Sequence, residues 1–118
     1  MPTKPAAQSE RKTAPELTAA IDLLWTRFQP EIRKRVDLLD LAVAASAAGR
    51  LTAEERETAH GAAHKLAGTL GIFDLDRGTV LAREFELITE REDKFDSTAA
   101  GRMASIAAEL RNLIENRK

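Results

Sequence analysis

Residues 52–73 read TAEERETAHGAAHKLAGTLGIF, and the reading of this stretch decides the fold. Thr52 and Glu55 stand at capping-box spacing, where each side chain accepts a backbone N–H that a helix start leaves unpaired. Beyond them Ala59, Ala62 or Ala63, Leu66, Leu70 and Phe73 recur at helical intervals, which predicts a helix to about Ile72 with one buried line. Gly61, Gly68 and Gly71 lie inside it. Each costs a helix roughly 1 kcal/mol relative to alanine, so the segment gives up stability for some other end. Successive helical residues turn by about 100°, which sets His64 about 200° from Leu66 and points it to solvent when Leu66 is in the core. Its own face carries His60, Gly61, Ala67, Gly68 and Gly71. Side chains this small leave the ring open to a bulky tetrahedral group, and a neutral imidazole has a lone pair able to attack phosphorus.

Working outward, the remaining apolar residues fall into further helical lines. Thr13 and Glu16 repeat the capping-box spacing, with Pro15 in the first turn and Leu17, Ile21, Leu24 and Phe28 following. That helix is predicted to end or kink near Pro30. A second runs from about Glu31 to Ala48 on Ile32, Val36, Leu39 and Val43, with Gly49 placed to stop it. After the His64 helix, Asp74 or Asp76 is placed to cap a helix bearing Leu81, Phe85 and Ile88, followed by the charged loop EREDKFD. Asp96 or Ser97 is placed to cap the last helix, with Met103, Ile106, Leu110 and Leu113. Trp25 and Phe28 are assigned to packing, as large aromatics usually are. One-faced helices joined by short links pack as antiparallel neighbours. The predicted fold is all-α: an antiparallel up-and-down four-helix bundle with an additional N-terminal helix, or with that helix as the front half of a kinked long one. Residues 1–12 lack apolar periodicity and read as a flexible leader, leaving 13–118 as the one domain.

Composition narrows the function classes. With no cysteine in 118 residues there is no disulfide, thiolate nucleophile or Cys-ligated metal. A net charge of −1 with both signs interspersed gives no global attraction to nucleic acid or anionic membranes. No apolar run approaches the ~20 residues of a membrane span, and no secretory signal is recognisable at the start. A monomeric cytoplasmic protein is the expectation. No phosphate-binding glycine loop or kinase motif is present, so neither a nucleotide cofactor nor nucleotide-dependent kinase activity is expected.

The stretch AAHKLAGTLGIFDL, with REFE downstream, resembles the histidine-containing phosphotransfer (HPt) domains of bacterial phosphorelays, whose signature is approximately A-H-x-L-K-G followed by small residues and a later Leu-Glu-like pair. LLWTRFQPEIRKRVDLL is similar to the opening helices of the same family. The resemblance covers essentially the whole helical region and implies a phosphocarrier, not an enzyme. It implies that His64 accepts the phosphoryl group on its outer ring nitrogen and that Gly68 gives clearance beside the ring. By the same resemblance Lys65 reaches toward phosphate oxygens, Arg83 assists, and Glu86 orients the imidazole or its phosphate from the next helix. The implied partners are a response-regulator receiver domain, a hybrid histidine kinase, or both, with Mg²⁺ supplied by the receiver. Two positions depart from the family pattern. Ala67 stands where a lysine is common and Asp74 where a glycine is common, which bears on phosphohistidine lifetime and partner preference. The initial methionine and single domain suggest a free-standing carrier. Two other readings compete: a helical interaction module in which His64 does no chemistry, and a metal-binding bundle built on the i, i+4 pair His60 and His64.

Overall fold

The computed structural model describes residues 3–91 and 96–117, with side chains from residue 15 onward, and all of its regular structure is helical. α1 spans Thr3–Ala47, α2 Ala53–Ile72, α3 Asp76–Glu90 and α4 Ser97–Asn116. Residues 92–95 of the expected charged loop lie outside the described residues, as do the first two of the expected leader.

Of the two arrangements expected for the N-terminal helix, α1 takes the long one, a single helix with Pro15 and Pro30 both inside it. The N-terminal helix of the predicted fold is therefore the front part of α1. Thr13 is not a helix start, since helical backbone already begins at Thr3, within the expected leader. A proline forfeits one helical hydrogen bond, whereas ending a helix and starting another requires a second costly nucleus. Continuation is the cheaper course.

The chain forms two compact units, Met1–Pro30 and Glu31–Lys118. In the first, Trp25 is buried while Leu17, Leu23, Leu24 and Phe28 are exposed. The expected buried line through Leu17, Leu24 and Phe28 is thus corrected, and Phe28 is not a core residue.

The second unit is the bundle. Its fully buried residues include Ile32, Val36 and Leu39 of α1, Leu66 and Leu70 of α2, Leu81 and Phe85 of α3, and Met103, Ile106 and Leu110 of α4. These follow the expected lines, except that Ile114 takes the buried place expected for Leu113 and Val43 is only half-buried. Polar contacts between helices fix the direction. Arg33 pairs with Glu115, and Arg111 with Asp37 and Asp40. Arg77 pairs with Glu109, and Arg102 with Glu84. In both sets numbers rise along one helix as they fall along the other, so α1 with α4 and α3 with α4 are antiparallel. Exposed pairs of this kind contribute little energy, but they report register.

The helix ends follow local chemistry. Gly49 has φ +71°, and the amides of Gly49 and Arg50 return to the carbonyls of Ser46 and Ala45, which closes α1 in a Schellman-type turn. Thr52 and Glu55 form the complete capping box of α2, and the Asp96 carboxylate accepts from the Ala99 amide to cap α4. The α2–α3 turn differs from expectation. The N-cap of α3 is Leu75, which makes no side-chain cap, and Asp74 instead takes a left-handed conformation with φ +59°. A short polar side chain tolerates that conformation better than most. Asp76 lies in the first turn of α3, beside unpaired amides.

Across the turn, α2 and α3 approach closely because small residues line the seam. Ala59, Ala62, Ala63 and Ala67 of α2 and Gly78 and Ala82 of α3 are buried. A methyl group at Gly78 would come within 2.9 Å of Leu70 Cδ1, so the buried Leu70 side chain would have to shift to admit it. No helix among the described residues is long and apolar enough to cross a membrane.

Candidate functional site

His64 lies in the middle of α2 with its side chain 70% exposed, on the side away from fully buried Leu66. Its Nδ1 lies 2.9 Å from Glu86 Oε2 on α3. An ionised carboxylate can only accept, so Nδ1 carries the proton and donates. The neutral ring then has its lone pair on Nε2, the nitrogen farther from the backbone. The Glu86 side chain is only 16% exposed. The contact fixes both tautomer and ring orientation.

The glycines of α2 divide into two kinds. A Cβ added at Gly61 or Gly68 would meet nothing within 4 Å, so the protein's own packing does not demand glycine at either. Gly101 on α4 is equally open, which shows that openness alone marks no site. Gly68 is distinguished by standing one turn from His64. Gly71 is exposed, as expected, at the rim next to α3, where an added Cβ would lie 3.4 Å from Thr79 Oγ1. Ala67 is corrected: it is buried, and its carbonyl accepts the Thr79 hydroxyl. It belongs to the seam because α3 crosses that edge of α2. A lysine at position 67 would have to leave the interface to meet a phosphate.

Lys65 is exposed, one residue along from His64. Arg83 is exposed on α3, on the helical stripe that also holds Thr79, Glu86 and Glu90. The contacts of Thr79 and Glu86 with α2 place that stripe beside the His64 helix. The structure thus brings His64 and Glu86 into direct contact, sets Gly68 and Lys65 on the open face of α2, and sets Arg83 on the neighbouring helix.

One grouping escaped the sequence. His60 Nε2 lies 3.1 Å from Glu90 Oε1 and 3.7 Å from Glu86 Oε2. The metal reading paired His60 with His64, but the side chains that draw three potential ligand atoms together are His60, Glu86 and Glu90. His64 instead turns Nδ1 to Glu86. Only the i, i+4 spacing of Glu86 and Glu90 hinted at this, and their facing His60 depends on the α2–α3 register.

The far flank of α3 is electrostatically separate. The Arg102 guanidinium holds Glu84 below the ordinary carboxylate range, chiefly through hydrogen bonds, and Arg77 does the same to Glu109. These pairs join α3 to α4 and leave the His64 face to α2.

A family model described as Hpt domain matches residues 23–118. Protein RcaC of Microchaete diplosiphon is 30% identical over 98 residues, covering 83% of this chain and 15% of that protein. The chain thus spans a small part of the length of this relative. No solved structure matches.

Proposed function

This chain belongs to the Hpt domain family, and from that premise we propose that it relays a phosphoryl group to and from receiver-domain aspartates through His64. The observation that carries the reading is the His64–Glu86 contact at 2.9 Å on a ring that is 70% exposed. With Nδ1–H engaged, the Nε2 lone pair attacks the phosphorus of an aspartyl phosphate. The N–P bond forms as the P–O bond to the aspartate breaks, and the aspartate leaves as a carboxylate. The Nδ1 proton stays in its bond to Glu86, and the Glu86 carboxylate offsets the positive charge that the ring acquires. The transition state chiefly requires alignment and dispersal of negative charge. Lys65 and Arg83 supply cationic groups from this side, Gly68 leaves clearance, and the receiver brings the Mg²⁺.

In this reading the protein is a carrier without kinase activity of its own, working in the cytoplasm as a monomer, with residues 13–118 as the module. It requires no nucleotide, resident metal, nucleic acid or membrane. The test is incubation with receiver domains charged by acetyl phosphate. Acid-labile, alkali-stable label on His64, lost in His64→Gln, is the expected result. A receiver that binds the folded protein without labelling it overturns the relay in favour of a docking module.

A further inference from the structure

We propose that His60, Glu86 and Glu90 form a binding site for a divalent transition-metal ion such as Zn²⁺, and that its occupation draws Glu86 away from His64. The three potential ligand atoms lie within 4.8 Å of one another, with His60 Nε2 at 3.1 Å from Glu90 Oε1 and 3.7 Å from Glu86 Oε2. Ligand bonds of about 2.0–2.1 Å in a tetrahedron separate neighbouring donor atoms by about 3.3 Å. The two separations to His60 Nε2 bracket that value, and the two carboxylate oxygens lie within 4.8 Å of each other, so side-chain rotation is needed to close the set on an ion. One imidazole and two carboxylates leave a fourth position for water. A nitrogen donor in the set favours a transition ion over Mg²⁺ or Ca²⁺, which prefer oxygen alone.

Charge points the same way. Glu86 and Glu90 are one turn apart on α3, a spacing at which like charges repel, and both approach the His60 imidazole. A divalent cation neutralises the pair. Arg56 stands on the α2 side of the same cleft, where it donates to the Arg91 carbonyl. On binding, the metal takes the Nε2 lone pair of His60, and the ring proton resides on Nδ1.

Glu86 Oε2 is also the atom that accepts from His64 Nδ1. A bound cation withdraws electron density from that oxygen or turns it away, so His64 loses the contact that fixes its tautomer. The metal site stands independently of the relay reading; only its effect on phosphotransfer rests on that reading. The ion therefore inhibits transfer.

Titration of the unphosphorylated full chain with Zn²⁺ by calorimetry tests the site directly, with Mg²⁺ as the control. One equivalent of Zn²⁺ binds, and His60→Ala and Glu90→Gln each weaken binding at least tenfold. Nitrogen-15 NMR should show the His64 ring signals moving with Zn²⁺ in the wild type and staying in place in Glu90→Gln. Absence of Zn²⁺ binding, or equal binding by wild type and both variants, overturns the site. If Zn²⁺ binds while the His64 signals do not move, the coupling is overturned. A failed relay leaves the calorimetric result standing, so the two failures are distinguishable.

Discussion

Gly78 and Gly68 sit in neighbouring helices, and the difference between their surroundings separates what folds this protein from what it offers to others. At Gly78 an added methyl would press on Leu70 Cδ1 at 2.9 Å, inside a seam of alanines and leucines. At Gly68 the same methyl would meet nothing within 4 Å. At the first, a methyl would have to displace the buried Leu70 side chain. The second weakens α2 with no packing requirement, and only its place one turn from His64 connects it with the proposed relay. His64 stands on the outer side of this divide while its Nδ1 is tied to the inner one through Glu86.

The strongest way to break this comparison is at the ring itself. His64→Gln is expected to abolish phosphoryl labelling while unfolding changes by no more than about 0.5 kcal/mol, as for an exposed substitution; labelling and urea denaturation on one preparation check both halves. Next comes the tie to the seam. A hydrogen bond to a charged group contributes about 1.5–3 kcal/mol, so Glu86→Ala is expected to slow transfer roughly ten- to hundredfold. Rapid-quench transfer from a charged receiver measures it, with retained label acceptance showing that the histidine remains available.

The glycines give the third test. Gly68→Ala and Gly78→Ala gain the same helical propensity, but only the second is overpacked, so Gly78→Ala is expected to be less stable than Gly68→Ala by about 1–3 kcal/mol. Equal denaturation midpoints sink the distinction. Gly68→Leu sharpens it from the other side, with stability preserved and transfer to a receiver reduced. The smallest effect belongs to the α3–α4 flank. Glu84 and Glu109 are held below their ordinary value of 4.5 by Arg102 and Arg77. A lowered folded pKa means that their stabilisation is present above the unfolded value and is lost as pH falls through the folded one. Thermal melts below pH 4.5 are therefore expected to show a shallower acid decline in Glu84→Gln than in the wild type.

What was legible in the sequence follows the range of the forces concerned. The lines Leu66–Leu70, Leu81–Phe85 and Met103–Ile106–Leu110, the capping box at Thr52 and the stop at Gly49 depend on residues within a turn or two of one another, and the structure shows each of them. The contact of Glu86 with His64 was suggested by family resemblance, since spacing along one helix says nothing of register across two. That same missing register placed Ala67 on the open face, although it is buried against α3. The exposed apolar side chains between Leu17 and Phe28 and the uninterrupted helix at Pro30 show where local rules misled. Regular spacing there marked a helix correctly but not the face it buries.

The alanine seam has a consequence for how firmly the imidazole is held. Alanine and glycine have no rotamers to freeze, so joining α2 to α3 carries almost no side-chain entropy cost, unlike a contact built from long side chains. The backbone beneath His64 is accordingly expected among the last parts of the bundle to open in hydrogen exchange, and the exposed ring rides on a mount that does not yield when a partner presses on it.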